Sequence, residues 1–78
     1  MHVVIAKVDE ALFDGEAYSL TAPGSEGQMT VLSHHEPLIT TLKAGRVEVR
    51  VEADAEPQVF EVDGGVLEVH GTGATVIL

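Results

Sequence analysis

Arg46-Val47-Glu48-Val49-Arg50-Val51-Glu52 alternates without a break, valine at every odd position and a charged residue at every even one. Successive side chains of an extended chain point to opposite faces, so this stretch reads as a half-buried strand with Val47, Val49 and Val51 inward. Wound into a helix, the three valines would scatter around its circumference.

Short apolar runs of the same kind lie on both sides of it. Downstream, Ala53 to Pro57 is acidic and reads as a solvated hairpin loop, and strands are expected at Gln58 to Val62, Val66 to Val69 and Ala74 to Leu78. Upstream, they are expected at Leu38 to Leu42, Met29 to Leu32 and Val3 to Ala6. Glu16 to Ala22 alternates too, with Ala17, Ser19 and Thr21 on one face and Tyr18, Leu20 and Ala22 on the other. Between these runs stand Asp14-Gly15, Pro23-Gly24, Ala44-Gly45, Asp63-Gly64-Gly65 and Gly71-Thr72-Gly73. These residues tolerate the backbone angles of tight turns. Turns recurring every eight to twelve residues or so mark a β-sandwich or barrel. No segment has a helical period, and no repeat or linker interrupts the chain.

Length and composition narrow the function. One domain is the natural count for 78 residues. A domain this small cannot hold both a solid core and a large substrate cavity, which favours a binding or structural module over an enzyme. The absence of cysteine removes disulfides, thiolate zinc sites and cysteine nucleophiles, and fits a reducing compartment. A formal net charge of −9 repels nucleic-acid phosphates and anionic lipid heads. No apolar run approaches the ~20 residues of a membrane helix. The start, MHVVIAKVDE, lacks the basic end and long apolar segment of a signal peptide. The expectation is a cytosolic, unprocessed protein that does not insert in a membrane.

Candidate chemistry is sparse. Ala22 to Gln28, APGSEGQ, has two glycines but no nearby lysine and leads into a strand, so it lacks the helix dipole of a phosphate loop. GSEG is not the G-x-S-x-G elbow of a serine nucleophile. His34 and His35 invite a zinc site, but neighbours on an extended chain point apart, and His2 or His70 would have to join them. No metal site or cofactor is assigned. Glu48 and Glu52 alternate with Arg46 and Arg50 on an outer face, and Glu61 and Glu68 are read the same way, as cross-strand or solvent partners. Two Phe and one Tyr make no platform for stacking bases. The residues alone therefore describe an acidic all-β module that binds protein, with a histidine-based metal site as the alternative.

A resemblance goes further. Leu12-Phe13-Asp14-Gly15, Pro23-Gly24-Ser25-Glu26-Gly27, His35-Glu36-Pro37-Leu38-Ile39-Thr40 and Leu42-Lys43-Ala44-Gly45 stand in order. They resemble the apolar-Phe-x-Gly, PGSEG, PGHAPLLT and LKPG segments of the epsilon subunit of bacterial F-type ATP synthases. Gly64 to Val69 resembles that family's GGFLEV, and Thr75 to Leu78 its VTVLA strand. The likeness covers nearly the whole chain.

The resemblance implies an all-β fold, a flattened β-sandwich of two antiparallel sheets with about ten short strands. It implies a non-catalytic rotor subunit that couples the gamma subunit to the c-ring at the cytoplasmic face of the inner membrane. Carried over by position, Lys7, Glu26, Gly27, Gln28 and His35 face the c-ring, and Glu36, Leu38, Ile39, Thr40 and Thr41 face gamma. Self-association is expected when those neighbours are missing. Three departures stand out. Gln28 replaces a frequent Glu, which weakens a charge-assisted contact. Thr30 replaces a frequent Gly, and Ser33-His34 replaces a Pro-Gly turn. The family's two-helix C-terminal domain would begin beyond Leu78, where this sequence ends.

Overall fold

The computed structural model describes residues 1–78, and every regular element in it is a strand. The nine strands are β1 (His2–Ala6), β2 (Ala11–Glu16), β3 (Ser19–Gly24), β4 (Gly27–Leu32), β5 (Leu38–Leu42), β6 (Gly45–Arg50), β7 (Gln58–Val62), β8 (Gly65–His70) and β9 (Gly73–Ile77). About ten were expected.

The strands form one strongly curled sheet with the order β2-β1-β9-β8-β5-β3-β6-β7, and β4 pairs with β3. The curl folds it into two layers. Sheet I is β2-β1-β9-β8-β5, and sheet II is β4-β3-β6-β7. They meet where Gly24 of β3 pairs with Leu42 of β5. Two backbone bonds fasten that corner: Ser25 N–H donates to Thr41 O at 2.9 Å, and Lys43 N–H donates to Pro23 O at 2.8 Å. On the opposite side Phe13 of β2 meets Phe60 of β7 edge to face, with centroids 6.3 Å apart. That contact draws the two free margins of the curl together.

All strand pairs are antiparallel, with one exception. β1 and β9 are neighbours, and His2 to Ala6 pair in parallel with Gly73 to Ile77. The expected sandwich of two antiparallel sheets thus carries one parallel pair, in sheet I. The approach is close: a Cβ on Gly73 would lie 1.8 Å from His2 O, so only glycine fits.

The core follows from alternation. Val3 and Ile5, Leu20 and Ala22, Val47 and Val49, Leu67 and Val69, and Ala74 and Val76 all point between the sheets and are buried. Burying a Val or Leu stabilises the fold by roughly 1.5–3 kcal/mol. Several local readings need correction. Val51 lies outside the core and is 43% exposed, because β6 ends at Arg50, where the chain turns into the 51–57 loop. The Arg50 guanidinium donates to Ala55 O across that loop. Asp14-Gly15 is not a turn but part of β2, paired with Val4 and Val3. As a margin strand bonded on one side only, β2 tolerates such residues. Pro23-Gly24 ends β3, and the turn itself is Ser25-Glu26, closed by the Gly24–Gly27 pair. The Glu16 to Ala22 run is split, since β2 ends at Glu16 and β3 begins at Ser19.

Candidate functional site

The loops divide between two ends of the sandwich. One end gathers the links β1–β2, β3–β4, β5–β6 and β7–β8, including Lys7, Glu26, Lys43 and Asp63. The other gathers β2–β3, β4–β5, β6–β7 and β8–β9, including Tyr18, His34, His35 and Thr72.

The residues expected at the c-ring fall in both groups. Lys7 and Glu26 share the first end, with Gly27 and Gln28 opening β4 beside it. His35 stands at the other end, just beyond Leu32, the last residue of β4. A six-residue strand spans about 20 Å, and that separates the two groups. β4 itself connects them, because it is a margin strand with only β3 as neighbour. All five are accessible, and Gly27 has φ +137°, an angle that suits glycine alone at the hairpin exit.

Of the residues expected to face gamma, Ile39 and Thr41 point outward from β5, and Ile39 is 72% exposed. Leu38 and Thr40 alternate inward, and Leu38 packs on the core. Glu36 is exposed in the preceding loop.

Ile39 belongs to a larger surface that the local sequence reading missed. On the outer face of sheet I, Ala6, Ile77, Val66 and Thr41 line up across four paired strands. The next row is Val4, Thr75, Glu68 and Ile39. Ile77 is 53% exposed. The margin is polar: His2 lies 2.6 Å from Asp14 and 3.4 Å from Glu16. Glu68 and Thr75 stand among the apolar residues, and an apolar patch within a polar rim is the anatomy of a protein interface. The signal was present in the sequence. Val3-Val4-Ile5-Ala6 and Val76-Ile77-Leu78 are continuously apolar, as strands covered on both faces are.

The histidines are partly united. Ser33, His34, His35, His70, Thr72 and Met1 help line a hollow of about 140 Å³ at the second end. The β8–β9 link brings His70 there beside the β4–β5 link, whereas His2 is held by carboxylates. Both ring nitrogens of His70 are 3.2 Å from hydroxyls, those of Thr72 and Thr75. His35 Nδ1 bonds to Glu36 O at 2.8 Å. Ser33-His34 is a turn, not extended chain, and His34 has φ +68°, a conformation uncommon outside glycine. No three His, Asp or Glu side chains come together in a way that could hold a metal ion.

The family model for the "ATP synthase, Delta/Epsilon chain, beta-sandwich domain" matches residues 1–78. An ATP synthase epsilon chain of Dichelobacter nodosus is 43% identical over 76 residues, covering 97% of this chain and 52% of that protein. One from Herminiimonas arsenicoxydans is 38% identical over 77 residues, covering 99% and 55%. The chain thus spans about half the length of these relatives. Its fold is similar to a chain in the Euglena gracilis mitochondrial ATP synthase, solved as OSCP/F1/c-ring in rotational state 1. There the TM-score is 0.86 at 27% identity, over 96% of this chain and 48% of that one. A chain in the central stalk/c-ring structure of the Tetrahymena thermophila mitochondrial ATP synthase shares the fold, with TM-score 0.79 at 19% identity, over 99% and 61%.

Proposed function

The chain belongs to the ATP synthase delta/epsilon β-sandwich family, and we propose on that premise that it is a non-catalytic central-stalk element of an F-type ATP synthase. It joins the gamma subunit to the c-ring at the cytoplasmic face of the inner membrane and keeps proton flow and ATP synthesis coupled. The task is mechanical. The domain has to hold two partners at once without yielding to torque.

The observation that carries this reading is the apolar outer face of sheet I, within a chain matched to the family along its whole length. An acidic 78-residue domain has no reason to expose Ile39 and Ile77 beside Val66 unless something covers them. That face, with Ile39 and Thr41 at its β5 margin, suits gamma. The free margin of β4 suits the ring: laid along a flat partner, it offers Glu26, Gly27 and Gln28 at one end and His35 at the other, with Lys7 near the first. Leu38 and Thr40 support β5 from within.

Recovery of tagged chain from native membranes, with partners identified by mass spectrometry, tests the assignment. Gamma is expected, together with alpha and beta subunits. Recovery of no ATP synthase subunit would overturn it.

A further inference from the structure

We propose that β4 is a self-pairing edge: two copies of this chain join β4 to β4, antiparallel, about a two-fold axis through Thr30. The inference goes beyond the rotor reading and concerns the free chain.

The first observation is that β4 is unguarded. Natural margin strands are blunted by charges, prolines, bulges or cover, because a free row of N–H and C=O groups is a template for another chain. β2 has Asp14, Glu16 and a register shift against β1. β7 carries Glu61 and follows Pro57. β5 is covered at its end by the Ser25–Thr41 bond. β4, Gly27-Gln28-Met29-Thr30-Val31-Leu32, has no charge and no proline, and it pairs with β3 without a bulge.

The second is that β4 complements itself in one register. A two-fold axis perpendicular to the sheet pairs residues of the same face, so Thr30 meets Thr30, Met29 meets Val31 and Gln28 meets Leu32. A one-residue slip would set inward residues against outward ones. Met29 and Val31 then continue the apolar inner layer. On the outer face Thr21 and Thr30 already share a hydroxyl bond of 3.1 Å. The pairing extends it to a row of four threonines, a favourable cross-strand combination. Backbone geometry permits the same register. Antiparallel pairs alternate between bonded and unbonded, and counting from the Gly24–Gly27 closure turns the N–H and C=O of Gln28 and Thr30 and the N–H of Leu32 to the open side, while the Leu32 C=O accepts the His35 N–H at 3.2 Å.

The third is charge. Each copy carries −9, so most surfaces repel a second copy. In this register the Ser25-Glu26 turn of one copy lies beside the Ser33-His34 turn of the other, twice by symmetry. A carboxylate meets an imidazole there instead of another carboxylate.

The two copies of sheet II become one continuous sheet. The contact is smaller than the ~800 Å² per partner of a standard interface, so the dimer is weak. It occupies the strand offered to the ring, and the free chain keeps that edge paired until it assembles.

Sedimentation equilibrium of this chain from about 1 μM to 1 mM reads the association. Thr30→Lys sets two ammonium groups together on the axis and, apart from the exposed Thr21–Thr30 hydroxyl bond, disturbs nothing within the chain. It is expected to weaken dimerisation at least about tenfold, with a melting curve shifted no more than that of Thr21→Val, which keeps the axis uncharged. The chain has no cysteine, so Thr30→Cys is expected to give a covalent dimer on mild oxidation, and Thr21→Cys, one strand away, none. A chain that stays monomeric at the top concentration overturns the proposal. So does a dimer untouched by Thr30→Lys, or one cross-linked through Ile39→Cys or Ile77→Cys, which would move the contact to the apolar face of sheet I.

Discussion

Sheet II turns mainly polar residues outward, Gln28, Thr30, Thr21, Arg46, Glu48 and Glu61 with Leu32 and Val59 among them, while sheet I turns out Val4, Ala6, Val66, Ile77 and Ile39 around Thr41, Thr75 and Glu68. Both sheets bury the same kind of inner face, valine against valine. They differ only in the alternate residues. Where those are charged, as in Arg46 to Arg50, the outer face is solvated. Where they are apolar, as in β1 and β9, the strand is built for burial on both sides. The contrast teaches that a sandwich records its partners in the second phase of its strands, the phase that folding alone does not need.

The largest expected effect removes sheet I altogether. Gly73→Ala places a Cβ 1.8 Å from His2 O, and β1 cannot then lie against β9. A loss of about 3 kcal/mol or more is expected in urea unfolding, enough to leave a marginal small domain largely unfolded. Next, Ile77→Asp sets the two faces directly against each other. It is expected to cut recovery of gamma by more than about tenfold while moving stability little, and Val59→Asp on sheet II to leave recovery unchanged. Equal effects from the two variants would dissolve the comparison. Phe60→Leu probes the closure between the sheets and is expected to lower stability by about 1 kcal/mol in the same urea titration, since the edge-to-face contact with Phe13 is lost but most of the burial remains. The smallest effect belongs to sheet II's own surface. Thr21→Val breaks the exposed Thr21–Thr30 hydroxyl bond and is expected to shift stability by less than about 1 kcal/mol, measured the same way.

Much of this was legible in the chain, for reasons that differ along it. β6 could be read because its outer face is charged, so the inner phase stands out. β2 could not, because Asp14-Gly15 has the composition of a turn and only its pairing with β1 makes it a strand. The parallel pairing of β1 and β9 leaves no local mark, because it joins residues far apart in the chain. The histidine hollow is equally non-local: joining His34 and His35 called for His2 or His70, and the β8–β9 link brings His70 beside the β4–β5 link. The motif segments at Pro23 to Gly27 and Leu42 to Gly45 marked two turns of the first end, but no single segment revealed that Ile39, Val66, Ile77 and Val4 form one surface. That surface is assembled from four strands, and its continuity lies in the register.

The adjacency of β1 and β9 has a consequence in time. His2 pairs with Gly73 and Ala6 with Ile77, 71 residues apart in both cases. β9 is also the only strand joining β1 to β8. During synthesis β1 leaves the ribosome before β9 and waits for it, its inner and outer faces both uncovered. Sheet I cannot close until residues 73–77 have emerged, whereas the β3–β4 and β6–β7 hairpins can form from neighbouring residues. Contacts of such long sequence separation fold slowly, in the range of roughly milliseconds to seconds. Of the two strands, the earlier-made Val3 to Ala6 is therefore the one exposed longer, and it is where a chaperone would find this chain before any partner does.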